Sequence, residues 1–417
     1  MNYDLIIIGS GPAGYVAAIR AGQTGLKTLI IDKKYIGGMC LNWGCIPTKS
    51  LMESGKVFRQ VKQAAEYGVK GIDPEKLEFD WNTAISRTHG IVSKLSRGIE
   101  YLWKKNAVEY LKAEAKILSA TQVKAGNAIY EAPSILIATG SRIIPQKLFA
   151  SSVEIEDIYE MPCTAKKPLI YGRGSYAIEL AQFFAMIGKK PSILAESLPL
   201  MPSLDSHLEG FLKRKLKKDG IPIIPLEEAT IKSGNLYHKD KEIEYDVVIN
   251  AGFREAVLPP MDIDLEIKNG YIATDDSFET SVKGIYAAGD VNGKGYLAHA
   301  ASAQAMEVIA AIHGKLPEEG KRLIPLNIYT DPEIAQIGIT EDALKTQGAE
   351  YEVKQISLNS NGKAIIEGDT EGFIRLIYEP KYHEVLGVQI VAANATDLIS
   401  EAGVLMELEG TTFDLAR

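Results

Sequence analysis

The residues best equipped for chemistry in this 417-residue chain are Cys40 and Cys45, within Gly37-Gly38-Met39-Cys40-Leu41-Asn42-Trp43-Gly44-Cys45-Ile46-Pro47-Thr48-Lys49. With four residues between the thiols and Gly44 to loosen the backbone, their Cα atoms can come within the roughly 4.4–6.8 Å that a disulfide spans. Pro47 suits the first turn of a helix, where its missing N–H costs nothing. Cys45 would then sit near a helix N-terminus, where a thiolate is stabilised. A pair of this kind is expected to open and close as a redox disulfide. A zinc site wants about four ligands, yet only Cys163 remains and no histidine lies close in sequence. A permanent disulfide fits poorly with the reducing interior of a cell. Cys163 itself reads as an ordinary thiol in a connecting segment.

A redox pair needs an electron partner, and two stretches of the chain provide for one. Tyr3 to Ile8 reads as a buried parallel strand, Gly9 to Gly14 as a tight turn, Tyr15 to Gln23 as a helix and Lys27 to Asp32 as a second strand. The pattern repeats from Pro168: strand Leu169 to Tyr171, turn Gly172 to Ala177, helix Ile178 to Ile187, then strand Ser192 to Ala195. Gly9, Gly11, Gly14 and Gly25 align with Gly172, Gly174, Ala177 and Gly188 without a gap. In such a unit the first glycine turns the chain out of the strand and the second admits a pyrophosphate to the backbone. The third lets helix and strand pack, and the helix N-terminus faces the anion. Asp32 is placed to accept hydrogen bonds from an adenosine ribose. In the second copy Ala195 aligns with Asp32, and the nearest acid, Glu196, falls one residue late, so strand alternation is expected to turn it away from the ribose. No Arg or Lys between Glu196 and His207 offers itself to a 2′-phosphate, which favours NAD over NADP.

The surrounding chain is that of a multidomain α/β protein. Thr83 to Asn106 reads as helix, Val108 to Tyr130 as short strands with a turn at Gly126 and Asn127, and Ser134 to Ala138 as a strand entering Thr139 and Gly140. Strand Gly284 to Ala288 leads into Gly289-Asp290 and a helix from about Ala298 to His313. After Ile324 come strands Glu371 to Glu379 and Glu384 to Val391, then a helix from Ala395 to about Leu408, forming a third, α+β domain. A net charge of −8 and pI near 5.5 give no basic footprint for nucleic acid. The opening apolar run is too short for a leader or a membrane span, and three cysteines are too few to staple a secreted chain of this length. A cytoplasmic protein without membrane attachment is expected.

Taken together, Gly38-x-Cys40-Leu-Asn-x-Gly-Cys45-Ile-Pro-Thr-Lys49 between two dinucleotide fingerprints resembles the class I pyridine nucleotide-disulfide oxidoreductases, most closely their lipoamide-oxidising branch. Ala138-Thr139-Gly140-Ser141, Ile285 to Asp290, Leu297-Ala298-His299, Tyr329-Thr-Asp-Pro-Glu-Ile-Ala, and Gly372-Phe-Ile-Arg with Leu386-Gly-Val follow in family order, so the resemblance runs from residue 3 to 417. It implies FAD and NAD(H) as cofactors, with no metal. It also implies an FAD domain over 1–145 and 261–320, an NAD domain over 146–260 and an interface domain over 321–417 that makes a homodimer.

By resemblance, Cys40 is the thiol that exchanges with substrate and Cys45 the thiol beside the flavin. Lys49 lies near flavin N5 and pairs with Glu179. The FAD contacts implied are Gly9, Gly11, Gly14, Asp32, Gly38, Cys40, Lys49, Ala115, Thr139, Gly140, Ser141, Asp290 on the ribityl chain, and Tyr296, Leu297, Ala298 and His299 at the N1/O2 edge. Those for NAD are Gly172, Gly174, Ala177, Glu179, Ala195, Glu196 and Gly252. The implied reaction carries electrons from a dihydrolipoyl dithiol to NAD, and the implied partner is a lipoyl-bearing carrier protein of a 2-oxoacid dehydrogenase-type complex. Family members place His-Pro-Thr-x-Ser-Glu soon after the counterpart of Thr412 to Arg417. The His is the general base that serves the partner subunit, and this sequence stops at Arg417. Because the rest of the catalytic apparatus is retained, an omitted or truncated tail is favoured over one truly absent; a protein that does end there is expected to oxidise dithiols weakly while still passing electrons from NADH to artificial acceptors. A sensor or structural flavoprotein is the alternative from another class. Within the enzymes, glutathione and mercuric reductases fit less well around Cys45 and at the C-terminus.

Overall fold

The computed structural model describes residues 2–161, 164–315 and 323–416. Cys163 and Arg417 lie outside the described residues. The chain divides into two compact units, one made of Met1–Pro47, Asn82–Ile144 and Phe253–Gly320, the other of Thr48–Trp81, Pro145–Gly252 and Lys321–Arg417.

Strand Leu5–Ile8 of the first unit is apolar at every position and buried on both faces, as the middle of a parallel sheet demands. It pairs in parallel with Thr28–Asp32 on one side and Ser134–Ile137 on the other. Glu109–Lys112 and Ile285–Ala287 complete a five-stranded parallel sheet. Helix Pro12–Gln23 covers it with Ala13, Gly14, Ala17, Ala18 and Ala21, side chains small enough for close contact with helix Ala298–Ile312. A three-stranded antiparallel sheet, Ala115–Ser119, Gln122–Ala125 and Ala128–Glu131, is appended.

The second unit contains another five-stranded parallel sheet. Pro168–Gly172 is central, flanked by Ser192–Ala195 and Ile223–Pro225 on one side and Val247–Ala251 and Val153–Glu154 on the other. In both sheets the glycine turn leaves the strand at which the order reverses, the position where open α/β sheets bind ligands. This unit also carries an antiparallel sheet in the order Leu326–Ile328, Glu333–Gly338, Val385–Ala392, Phe373–Tyr378, Glu352–Ser357. Helix Ala395–Glu407 packs on it through Ala395, Ile399 and Ala402, a single helical face.

The helices after both glycine turns start three residues earlier than expected, at Pro12 and Ser175 rather than Tyr15 and Ile178. Gly14 and Ala177 are therefore helical, and Pro12 explains the early start in the first copy because its fixed φ already suits a helix. Strand 1 opens at Leu5, not Tyr3.

Candidate dinucleotide and dithiol sites

The first turn is built by steric exclusion. Gly9 has φ +103°, and a Cβ there would lie 2.3 Å from the Ala138 carbonyl oxygen. A Cβ on Gly14 would lie 1.9 Å from the Gly9 oxygen, so strand and helix meet backbone to backbone. Gly11 differs: a Cβ there meets nothing within 4 Å. That open side, at the N-terminus of a 12-residue helix, is where a pyrophosphate belongs. Asp32, ending its strand, accepts hydrogen bonds from Ser10 N (2.8 Å), Ser10 Oγ (2.7 Å) and Lys34 N (2.8 Å). Its carboxylate is thus fixed at the tip of the turn.

The cysteine segment is tied to this turn. The Ser10 hydroxyl proton is shared between Asp32 and the Tyr35 carbonyl (2.9 Å), and Gly37 N–H donates to the Ser10 carbonyl (3.0 Å). A Cβ on Gly38 would lie 2.7 Å from Gly11 Cα, so only glycine permits this approach. Cys40 follows in the short helix Gly38–Asn42, which Asn42 Nδ2 braces against the carbonyls of Ile36 (2.9 Å) and Gly38 (2.7 Å). Trp43 and Gly44 turn their N–H groups back to the Met39 carbonyl. Cys45 then opens helix Cys45–Lys62, with Pro47 in its first turn. Both thiols are half-buried. Burial first, then the proximity of Cys40 and Cys45, pushes the Tyr15 hydroxyl above its usual range; the sequence reading did not single out Tyr15.

Further along the first unit, Thr139 Oγ donates to the Val257 carbonyl and Gly140 takes φ +70°. Ser141 Oγ donates to Asp290 Oδ2 (2.6 Å), and Arg254 Nη2 reaches the same oxygen at 2.5 Å. Arg254 also lies 5.3 Å from the Tyr296 ring centroid, and its buried Nε has no hydrogen-bond partner among the described residues. Sequence reasoning missed Arg254; it arrives through the antiparallel pairing of Arg254–Ala256 with Ser141–Ile143. Tyr296 hydrogen-bonds Tyr271 and is 42% exposed. Leu297 caps helix Ala298–Ile312, whose first turn includes Ala298 and His299. Ala115 begins a strand and is buried. Fixed acids at 32 and 290, the open glycine and the helix N-terminus fit the FAD that the resemblance implies.

The second unit repeats the turn. Gly172 (φ +137°) abuts the Ala251 carbonyl, while Gly174 (φ +88°) has open space. Ala177 is fully buried in helix Ser175–Met186, and Ala195 is fully buried in its strand. The strand ends at Ala195, so pleat alternation no longer governs the next residue. A Cβ on Gly252 would lie 2.7 Å from Glu196 Oε1. Burial, then Glu196, pushes the Tyr171 hydroxyl up to about 12. An acid beside Gly252 at the carboxyl end of the sheet suits the diol of a ribose. Glu179, wholly buried, pairs with Lys49 at 2.7 Å.

Two parallel sheets with phosphate turns, one bearing a dithiol pair, define a redox protein that binds two dinucleotides. Residues 3–305 match the family model for pyridine nucleotide-disulphide oxidoreductases, and 324–417 match that family's dimerisation domain. The chain belongs to the pyridine nucleotide-disulphide oxidoreductase family. It is 33% identical to the dihydrolipoyl dehydrogenase of Chlorobaculum tepidum, across 97% of this chain and 90% of that one. Against the dihydrolipoyl dehydrogenase of Bacillus subtilis the values are 34%, 98% and 93%. The LpdA crystal structure from Mycobacterium tuberculosis shares its fold, with a TM-score of 0.89, covering 99% of this chain and 95% of that one at 21% identity. The protein is accordingly an FAD-dependent disulfide oxidoreductase that uses NAD(H).

Proposed function

We propose that this enzyme oxidises a dihydrolipoyl dithiol at Cys40, with NAD as final acceptor. The observation that carries the reading is the anchoring of Gly38 against Gly11, with Cys40 two residues on and Cys45 opening a helix. Likeness to dihydrolipoyl dehydrogenases over nearly the whole chain supports the choice of substrate. A substrate thiolate attacks the Cys40 sulfur of the Cys40–Cys45 disulfide, forming a mixed disulfide and releasing Cys45 as thiolate. The second substrate thiol then attacks the substrate sulfur of that bond, closing the oxidised substrate and freeing Cys40. The helix N-terminus stabilises the Cys45 thiolate. Bound FAD supplies electron transfer between the dithiol and the nicotinamide.

Gly9, Gly11, Gly14, Asp32 and Asp290 hold FAD in this reading, and Gly172, Gly174, Glu196 and Gly252 hold NAD. The segment 324–417 is the family's dimerisation domain. Ile356 and Ile374, directly opposed in two strands, are 64% and 37% exposed, and Ile366 is 80% exposed. Apolar surface of this kind is what a second copy of the chain covers. A lipoyl-bearing carrier protein is the physiological donor in this proposal, and the cytoplasm the setting. Among the described residues no helix is long and apolar enough to cross a membrane.

Steady-state turnover of lipoamide, glutathione disulfide and coenzyme A disulfide, each with NADH and NADPH, tests the reading. Lipoamide with NADH is expected to lead; faster turnover of another disulfide, or with NADPH, refutes the substrate assignment. Glu196→Ala removes a charged acceptor worth about 1.5–3 kcal/mol. It is expected to raise the KM for NADH roughly 10- to 150-fold while FAD is retained, measured by initial rates and flavin absorbance.

A further inference from the structure

Residues 329–333 meet one face of helix Cys45–Lys62 at every second position. Lys49 Nζ stands 4.6 Å from the centroid of the Tyr329 ring, Arg59 pairs with Asp331, and Lys56 Nζ lies 3.2 Å from Glu333 Oε1. Positions 49, 56 and 59 share a helical face, and a strand-like segment presents alternate residues to it. The same segment grips helix Ser175–Met186. Tyr329 N–H donates to Glu179 Oε1 (3.1 Å), and Asp331 N–H donates to Gln182 Oε1 (2.6 Å) while Gln182 Nε2 donates to the Asp331 carbonyl (3.0 Å). Glu179 therefore divides its two oxygens, giving Oε2 to Lys49 and Oε1 to the Tyr329 backbone. The Tyr329 hydroxyl hydrogen-bonds Thr396, whose N–H and Oγ donate to Glu333 Oε2 at 3.1 and 2.7 Å.

We propose that Tyr329 is a positioning residue for Lys49, holding its ammonium on the ring face and fixing the Glu179 carboxylate that pairs with it. A lysine side chain has many rotamers, and its ammonium has freedom to lose at each added contact. The aromatic face removes that freedom, because the ammonium is attracted to the negative face of the ring. Lys49 follows Cys45 by four residues, one turn, in the same helix. The 324–417 segment thereby reaches the redox helix within its own chain, besides any part it takes in pairing subunits. The inference rests on the reading that Lys49 supplies positive charge to the flavin.

The test uses the full-length, FAD-loaded protein. Tyr329→Leu keeps the backbone N–H and much of the volume but removes the ring face. It is expected to lower kcat about 3- to 30-fold, the equivalent of roughly 0.5–2 kcal/mol for a cation–π contact, with the KM for NADH unchanged. The flavin reduction potential should fall and the long-wavelength thiolate–flavin band should shift. Tyr329→Phe should retain wild-type values for all of these. If Tyr329→Leu does not hold FAD, mono-, di- and trifluorinated phenylalanines at 329 preserve the shape while draining the ring face; potential and kcat should fall in that order. Unchanged potential and band in Tyr329→Leu, no trend in the fluorinated series, or equal damage from Phe and Leu would overturn the proposal. Lys49→Met separates the two levels. If it moves the potential and Tyr329→Leu does not, the positioning role alone fails; if Lys49→Met moves nothing, the reading of Lys49 fails with it.

Discussion

Cys45→Ser should cut dithiol-dependent NAD reduction by at least about 10³-fold, the scale expected when a reacting nucleophile is removed, and leave NADH oxidation by ferricyanide largely intact. Serine is close to isosteric with cysteine and suits the start of a helix, so helix Cys45–Lys62 and the phosphate turn beside it are retained. What is lost is the internal disulfide. Cys40 alone is a thiol with no disulfide bond for a substrate thiolate to break, so the electron pair of the dithiol has no acceptor. Electron flow from NADH to a small outer acceptor needs neither thiol. Parallel assays with dihydrolipoamide and with ferricyanide check both halves. Dithiol turnover within tenfold of wild type would show that Cys45 is not in the electron path.

Gly11→Val is expected to weaken FAD binding by about 10²- to 10⁴-fold while the protein stays folded. Nothing lies within 4 Å of where its Cβ would stand, so the chain has room for the side chain and the bound cofactor does not. Displacing the pyrophosphate from the turn forfeits charge-assisted hydrogen bonds of about 1.5–3 kcal/mol each, and two such losses give the stated range. Gly14→Ala provides the contrast, since its Cβ would collide with the Gly9 carbonyl and both fold and cofactor should suffer. Circular dichroism of the apoproteins and FAD titration by fluorescence quenching distinguish the two. Full FAD affinity in Gly11→Val would place the pyrophosphate elsewhere.

Much of the frame was legible because its residues act locally. Strands such as Leu5–Ile8, buried on both faces, read as unbroken apolar runs, and the glycine turns follow them at fixed spacing. Pro47 suits a first helical turn and so puts Cys45 near a helix N-terminus, and the helix runs from Cys45. The errors arose where one local rule was extended too far. Counting all three glycines as turn places both helix starts three residues late, and strand alternation does not reach Glu196 because the strand ends at Ala195. Arg254 and Tyr329 were not legible as partners. Arg254 reaches Asp290 through a pairing of strands more than a hundred residues apart in sequence, and Tyr329 meets Lys49 across a still longer separation. Tyr329 stood inside a family signature, but its neighbours in sequence carry no sign of the lysine it faces.

Anaerobic reductive titration of the FAD-loaded protein tests the central claim most directly, because it counts electrons and shows where the first pair resides. With Cys40 and Cys45 as a redox disulfide beside the flavin, the first electron pair should leave the flavin oxidised and raise a long-wavelength absorption band, and a second pair should then bleach it. Bleaching by the first pair, with no further uptake and no long-wavelength band, would contradict the account.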